Sequence, residues 1–182
     1  TRLGENRVQE AASKIPQLEP AEWHLVGHLQ KNKAAKAIEL FDVVESVDSP
    51  TLATRLDRLV GERGARGGGR LPIYLQVNVD ADPAKAGFAP AALEYELDDL
   101  LGLPNLEIRG LMTVGFFTGG GEAARPTSAR LRALSERLRA ADPGLGPGLS
   151  MGMTDDFEVA IEEGSTLVRV GRALFGERPP PA

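Results

Sequence analysis

The feature that most constrains the fold of this chain is a regular alternation of short β-type runs with helical runs. Six short β-rich runs lie at residues 23–29, 42–47, 72–79, 106–114, 149–153 and 166–170, and residues 2–6 give a seventh if they form a short strand. One of the amphipathic runs between them is predicted to begin at Ser49 and Pro50, because serine caps a helix and proline suits its first position. Further helices are predicted from Pro90 and over residues 155–163. Strands that alternate with helices favour a parallel α/β fold.

The number of strand–helix units helps to choose between two kinds of parallel fold. Seven strand–helix units are one fewer than the eight that close a TIM-type (β/α)8 barrel. An open doubly wound sheet is the alternative, but the GxGxxG turn that such sheets place directly after a strand is missing. We therefore expect a single domain over residues 1–182, a TIM-type barrel whose first strand is absent from this chain.

Composition disfavours several classes of function. The chain has no cysteine, which removes disulfides, thiolate catalysis and cysteine-bound zinc. Its formal net charge of −5 disfavours a nucleic-acid groove. Four arginines interleave with leucines at helical spacing, as on the solvated face of a helix: Arg130, Arg132, Arg137 and Arg139. No apolar run approaches the ~20 residues that span a bilayer, and no signal-like segment opens the chain, so we expect a cytoplasmic protein. We also expect it to be a monomer.

The last two predicted strands carry the strongest candidate site. In (β/α)8 barrels the loops after these strands commonly hold a phosphate, because free backbone amides point at the anion. The candidate ligands are Ser150, Met151, Gly152, Thr154, Gly171 and Arg172. Hydroxyl and amide donors of the first loop would hold the phosphate, with Gly152 allowing close approach, and the second loop would add its amides. The alternative is an ordinary strand-to-helix connection in which Thr154 is the helix N-cap.

Several motifs follow one another in a fixed order along the chain. They are GENRVQE at residues 4–10, WHLVGHLQKNK at 23–33, SVDS at 46–49, QVN at 76–78, RGLMT at 109–113, LSMGMTDDF at 149–157 and VRVGRALFG at 168–176. Together they closely resemble the pyridoxal phosphate homeostasis protein family, single-domain relatives of the alanine racemase barrel. The resemblance covers essentially the whole chain. It departs from the family pattern at Thr154, where serine is more usual, and at Arg172, where a small hydroxyl residue is common.

The resemblance implies a vitamin B6 carrier or buffer that binds pyridoxal 5′-phosphate (PLP) and has no established turnover of its own. In the family, the lysine that forms a Schiff base with PLP lies in a strand upstream of the Gly-Glu-Asn motif. We therefore expect that lysine before Thr1, and no catalytic residue within this chain. The implied partners are the cofactor and, transiently, apoenzymes that receive it; no metal, nucleic acid or membrane is expected.

Two further residues acquire a role from the resemblance. Arg169 would face the pyridine nitrogen of PLP; because arginine stays protonated, it would oppose protonation of that nitrogen and weaken the cofactor as an electron sink. The alternative for this guanidinium is an ion pair with Glu162 or Glu163, since a buried charge needs a partner. Asn6 would bond the ring hydroxyl of PLP, cap the helix that follows it, or do both.

Other polar residues offer weaker candidates. His24 and His28 are four apart on a predicted strand, which separates them by about 13 Å and excludes a shared zinc ion. His28 is expected to line the pocket or to bond a neighbouring loop, and Gln76 and Asn78 to form part of a polar barrel lining. Lys85, in the loop after the fourth strand, is the lysine considered as a second amine for the PLP aldehyde.

Three functions therefore compete. The first is PLP homeostasis. The second is a PLP-dependent amino-acid racemase, which needs the Schiff-base lysine and an opposed acid/base group that a second domain usually brings. The third is a barrel that binds another phosphorylated metabolite without covalent linkage, and it predicts no preference for the aldehyde.

Overall fold

The computed structural model describes residues 1–18, 20–115 and 121–176 and confirms the predicted alternation of strands and helices. The strands are β1 (Arg2–Glu5), β2 (Glu22–Leu25), β3 (Val43–Val47), β4 (Leu71–Gln76), β5 (Leu106–Met112), β6 (Gly148–Met153) and β7 (Leu167–Arg169). The α-helices are α1 (Val8–Lys14), α2 (Ala34–Leu40), α3 (Pro50–Arg63), α4 (Pro90–Leu101), α5 (Gly121–Ala141), α6 (Phe157–Glu162) and α7 (Arg172–Phe175). Short 3-10 helices occupy Ile15–Gln17 and Lys31–Lys33.

The strands form one parallel sheet in the order in which they occur along the chain. Ser150 on β6 bonds Glu45 on β3, and Arg169 on β7 bonds the carbonyl of Thr113 just after β5. Neither pair of strands is adjacent in the sheet. Side chains of such strands meet only when the sheet curls around an interior, so the fold is a TIM-type barrel. Seven strands lie in the described part of the chain, with β1 and β7 at the two edges of the sheet.

Local sequence signals determine where α3 begins. The hydroxyl of Ser49 accepts a hydrogen bond from the amide of Leu52 at 3.4 Å, and Pro50 is the first helical residue. Leu52 and Leu56, one turn apart, are buried among the apolar residues between helices and strands. The predicted start of this helix is therefore confirmed, with the capping chemistry that predicted it.

Side chains alternate between the two faces of the curled sheet. Those that point outward join the main core beneath the helices, and they include Leu25, Val44, Ile73, Leu75 and Leu111. Those that point inward form a smaller apolar cluster of Val43, Tyr74 and Met112, with Leu167 packed against it. Several other inward positions are polar, and they form the site described below.

Strand β2 ends at Leu25, whereas the sequence predicted a strand to residue 29. A side chain at Gly27 would lie 2.3 Å from the carbonyl oxygen of Asn6, so the backbone at residue 27 passes against the end of β1. The hydroxyl of Ser46 also donates to the Gly27 carbonyl at 2.7 Å. These contacts draw the segment out of the sheet, and they leave His24 on the strand and His28 on the loop that follows it.

The arginine-rich run lies on α5. Its leucines are buried, whereas Arg130 pairs with Asp80 at 2.8 Å and Arg132 pairs with Glu163 at 3.0 Å. The interpretation of this run as a charged helix face is confirmed. Among the residues described, no helix has the length and apolar character needed to cross a membrane.

Candidate functional site

A chain of hydrogen-bonded polar side chains crosses the interior of the barrel. Nδ1 of His24 lies 2.6 Å from Oε1 of Glu45, and the hydroxyl of Ser150 donates to Oε2 of Glu45 at 2.5 Å. The same hydroxyl oxygen accepts from Nη1 of Arg169 at 2.6 Å. We call these four residues, from β2, β3, β6 and β7, the interior chain. His24, Glu45 and Ser150 are buried, and Arg169 is partly buried at the end of β7.

Donor and acceptor roles within the interior chain follow from the chemistry of its members. A guanidinium only donates, so the oxygen of Ser150 accepts from Arg169 and its single hydroxyl proton is left to point to Glu45. We expected this hydroxyl to donate to a phosphate. In the structure the Ser150 proton is engaged with Glu45 inside the barrel, and the contact of Ser150 with a phosphate stays a prediction.

Arg169 has two hydrogen-bond acceptors, and both are uncharged. Nη1 bonds the hydroxyl of Ser150 and Nη2 bonds the carbonyl oxygen of Thr113 at 2.7 Å. The remaining N–H groups of the guanidinium have no acceptor in the described ranges. Burial lowers the pKa of Arg169, while the carboxylates of Glu45 and Asp156 act in the opposite direction. Because arginine remains charged in proteins, this is a cation with unused donors at the barrel mouth.

The alternative of an ion pair between Arg169 and Glu162 or Glu163 is wrong. Both carboxylates bind Arg125, at 2.6 Å for Glu162 and 3.0 Å for Glu163. Arg125 lies on α5, and the two glutamates lie at the end of α6, so all three belong to the outer layer of helices. Arg169 points inward from β7, which separates it from them.

The loops after β6 and β7 lie side by side, as expected from the sequence. The two strands pair in parallel, with Met153 opposite Arg169. In the part of the chain that the structure describes, the backbone amides of Thr154 and Gly171 donate to no protein acceptor. Nη2 of Arg172 bonds Oδ1 of Asp155, which ties the second loop to the first. Two neighbouring loops thus present backbone amides that can donate hydrogen bonds to an anion.

Thr154 is not the N-cap of α6, which was the alternative to its role in anion binding. The N-cap is Asp156, and its carboxylate accepts from the backbone amide of Met153 at 2.6 Å. Thr154 lies partly buried in the turn between them. Its hydroxyl therefore has no capping duty, and its role as a phosphate ligand stays a prediction.

Gly152 and Met151 position the first loop. Gly152 has a φ of +93°, and a Cβ there would lie 2.6 Å from the Cβ of Ala160 on α6. Glycine is thus required so that α6 can pack closely on β6. The side chain of Met151 lies in the outer core and is 1% exposed. The structure explains both residues by packing, and their contact with a phosphate stays a prediction.

Residues at the ends of other strands approach the same edge of the barrel. Asn6 is exposed directly after β1; the N-cap of α1 is Arg7, so the capping role considered for Asn6 is wrong. Nδ1 of His28 lies 2.9 Å from Oδ2 of Asp48, which follows β3. The expected bond between His28 and a neighbouring loop is therefore confirmed. The contact of Asn6 with a ring hydroxyl stays a prediction.

The loop after β4 is held in place by its own polar residues. Nδ2 of Asn78 donates to the carbonyl of Asp82 at 2.7 Å, and Nε2 of Gln76 donates to that of Ala86 at 3.0 Å. Nζ of Lys85 bonds the carbonyl of Val114 at 3.1 Å, so this amine lies near the end of β5. Lys85 is thus at the carboxyl edge of the barrel, and its reaction with an aldehyde stays a prediction.

Glu45 is the member of the interior chain that sequence reasoning missed. It stands in the run Val-Val-Glu-Ser-Val, which is buried at every position as β3. Charged residues are almost never fully buried unless they are paired. A lone carboxylate in a buried strand was therefore an available signal for a polar barrel interior.

Comparison with known proteins assigns the chain to a family. The family model for the N-terminal domain of alanine racemase matches residues 1–179. The pyridoxal phosphate homeostasis proteins of Aquifex aeolicus and Pseudomonas aeruginosa are 38% and 43% identical to the chain. These matches cover 96% and 97% of the chain, and 76% and 74% of the two proteins. The chain belongs to the pyridoxal phosphate homeostasis protein family.

Solved structures show the same family relationship. PipY of Synechococcus elongatus, solved without PLP and with PLP bound, is similar with TM-scores of 0.87 and 0.85 and identities of 44% and 42%. Each match covers 95% of this chain and 80% of PipY. An alanine racemase of Clostridium difficile has a TM-score of 0.76 at 17% identity, over 98% of this chain and 44% of the racemase, which shows the fold alone. The predicted membership of the pyridoxal phosphate homeostasis proteins and the racemase-like barrel are both confirmed.

Proposed function

We propose that this chain binds PLP at the carboxyl ends of its strands and acts as a carrier or buffer in vitamin B6 homeostasis. The observation that carries the proposal is Arg169, a cation with uncharged partners and unused donors, beside two loops that present unpaired amides. A phosphate and a pyridine ring on one ligand match these two groups of donors. The PLP-bound structure of PipY and the names of the curated relatives support this choice of ligand.

Each part of the ligand is assigned to residues of this chain. The backbone amides of Thr154, Gly171 and Arg172, with the hydroxyl of Thr154, hold the phosphate, since backbone amides beside a helix N-terminus favour an anion. A remaining N–H of Arg169 donates to the pyridine nitrogen, and Asn6 bonds the ring hydroxyl. When bound, PLP supplies an aldehyde and an electron-withdrawing ring.

The charge of Arg169 favours binding over catalysis. A protonated guanidinium beside the pyridine nitrogen disfavours a proton on that nitrogen, because two positive charges would then be adjacent. The ring then withdraws electrons less strongly. Such a site holds the cofactor and limits its chemistry, which suits a carrier that releases PLP to apoenzymes.

Titration of the full-length protein with three ligands tests the proposal. PLP is expected to bind most tightly; pyridoxal, which lacks the phosphate, and pyridoxine 5′-phosphate, which lacks the aldehyde, are expected to bind less tightly. Equal binding of the two phosphorylated ligands would favour a non-covalent site for another phosphorylated metabolite. Racemisation of alanine by the PLP-loaded protein would favour the racemase alternative. Borohydride reduction followed by peptide mapping then shows whether Lys85 or another lysine carries the cofactor.

A further inference from the structure

Glu45 has no direct place in the proposed PLP site. Its carboxylate is 1% exposed and lies on β3, and its bonds run to His24 and Ser150. Burying a carboxylate is costly unless hydrogen bonds satisfy both of its oxygens. Here both oxygens are bonded, one on each side, and the bond through Ser150 leads to Arg169.

We propose that Glu45 is a positioning residue for Arg169: it fixes the hydroxyl of Ser150 as an acceptor, and the hydroxyl in turn orients the guanidinium towards the PLP ring. The inference rests on the proposed function. It adds a residue that contacts neither the phosphate nor the ring, and that acts on Arg169 through one hydroxyl group.

The mechanism depends on the single proton of Ser150. A serine hydroxyl has one proton and two acceptor lone pairs, and it rotates freely when nothing holds it. Glu45 takes the proton, so the lone pairs face Nη1 of Arg169. Without an acceptor at residue 45, the hydroxyl rotates freely and no longer holds a lone pair towards Nη1 of Arg169. The bond to the carbonyl of Thr113 is then the one fixed contact of the guanidinium among the described residues.

His24 holds Glu45 from the opposite side. Nδ1 of His24 bonds the carboxylate at 2.6 Å, and Nε2, which has no hydrogen-bond partner, lies 3.7 Å from Glu22. The Glu45 carboxylate is therefore fixed in direction by two side chains from different strands, one bonded to each of its oxygens. Its orientation is set before any ligand arrives, which is what a positioning residue requires.

Three variants of the full-length protein test the inference. In Glu45→Leu no acceptor remains for Ser150, and in Ser150→Ala the link itself is removed; each is expected to weaken PLP binding by about tenfold and to shift the absorbance maximum of bound PLP. In Glu45→Gln the amide oxygen still accepts from Ser150, so affinity and absorbance are expected to stay close to those of the natural sequence. In the cofactor-free protein, the Nε–H NMR signal of Arg169 is expected to be sharp in the natural sequence and Glu45→Gln, and broadened in the other two.

Glu163→Leu is the matched control. Glu163 is also a buried carboxylate, 9% exposed, but it bonds Arg125 and Arg132 in the outer layer. Its loss is expected to lower the melting temperature without changing the PLP absorbance or the Arg169 signal. If Glu45→Leu does not fold, Ser150→Ala decides alone.

Other results would overturn either the positioning role or the proposed function. If Ser150→Ala, or a folded Glu45→Leu, binds PLP with the affinity and absorbance of the natural sequence, the positioning role is overturned and the proposed function stays intact. Loss of affinity in Glu45→Gln equal to that in Glu45→Leu would show that the charge acts directly, which also overturns it. Failure of the natural sequence to bind PLP would reject the proposed function before any variant is compared.

Discussion

The hydroxyl of Ser150 donates to the carboxylate of Glu45 at 2.5 Å, although the two residues are 105 positions apart in the chain. Their strands, β6 and β3, are not neighbours in the sheet. The bond therefore exists only in the curled barrel, and it connects the interior to Arg169 at the barrel mouth. Any change that opens the barrel also removes the support of the proposed PLP site.

Replacement of Arg169 by glutamine is expected to weaken PLP binding about ten- to a hundredfold, since a hydrogen bond from a charged donor contributes about 1.5–3 kcal/mol. The absorbance maximum of bound PLP should shift, because the pyridine nitrogen loses its cationic neighbour. The domain should stay folded, since the two bonds that are lost go to uncharged acceptors. Absorbance titration and thermal unfolding measure the two effects. Unchanged affinity and absorbance would contradict the contact between Arg169 and the ring.

The order of strands and helices was predictable because its signals are local. Ser49 and Pro50 fix a helix start within four residues of chain, and the apolar runs fix the strands. The end of β2 was not predictable from its own residues. It depends on the contact between Gly27 and Asn6, which the fold brings together.

The candidate site was predictable at the level of loops and not at the level of side chains. Adjacent loops after β6 and β7 follow from strand order, so their neighbouring amides were expected. The orientation of the Ser150 hydroxyl depends on Glu45, a distant residue, and no local pattern reports it. Gly152 was similarly ambiguous, because a close approach by α6 and a close approach by a phosphate both call for glycine.

Acid should destabilise the barrel partly through Glu22. Burial raises the pKa of this carboxyl, but the hydrogen bond from Arg2 and the proximity of the His24 ring outweigh burial and hold the pKa below its ordinary value of 4.5. A carboxyl with a lowered pKa stabilises the folded state above pH 4.5, and this contribution is lost as the pH falls through the folded pKa. Glu22→Gln should therefore show a shallower loss of unfolding free energy between neutral pH and acid. The difference in unfolding free energy between the variant and the natural sequence should stay under about 1 kcal/mol, because water screens the partly exposed ion pair of Glu22 and Arg2. Urea unfolding at several pH values measures it, and parallel pH profiles would contradict it.

Two glycines at the ends of neighbouring strands should respond differently to alanine. Gly152→Ala places a Cβ 2.6 Å from that of Ala160 at a φ of +93°, so it should lower the free energy of unfolding by about 2–4 kcal/mol. Gly171→Ala meets no atom within 4 Å at a φ of −115°, so its effect on stability should be under about 0.5 kcal/mol. Chemical denaturation compares the two. Equal losses would show that α6 does not pack on Gly152 as the structure has it.

Thr154→Val separates the phosphate contact from the rest of the PLP site. Valine keeps the shape of threonine and removes the hydroxyl, so PLP binding should weaken about three- to tenfold, the effect of one hydrogen bond. Binding of pyridoxal, which has no phosphate, should not change. Thr166→Val is the matched control: its hydroxyl accepts from the amide of Leu149 at 2.9 Å, beside the first residues of β6, so its loss should lower stability and leave PLP affinity as it was. Parallel titrations with PLP and pyridoxal measure the difference. If Thr154→Val weakens the binding of PLP and of pyridoxal equally, the hydroxyl of Thr154 does not contact the phosphate. The first loop would then bind the phosphate through its backbone amides.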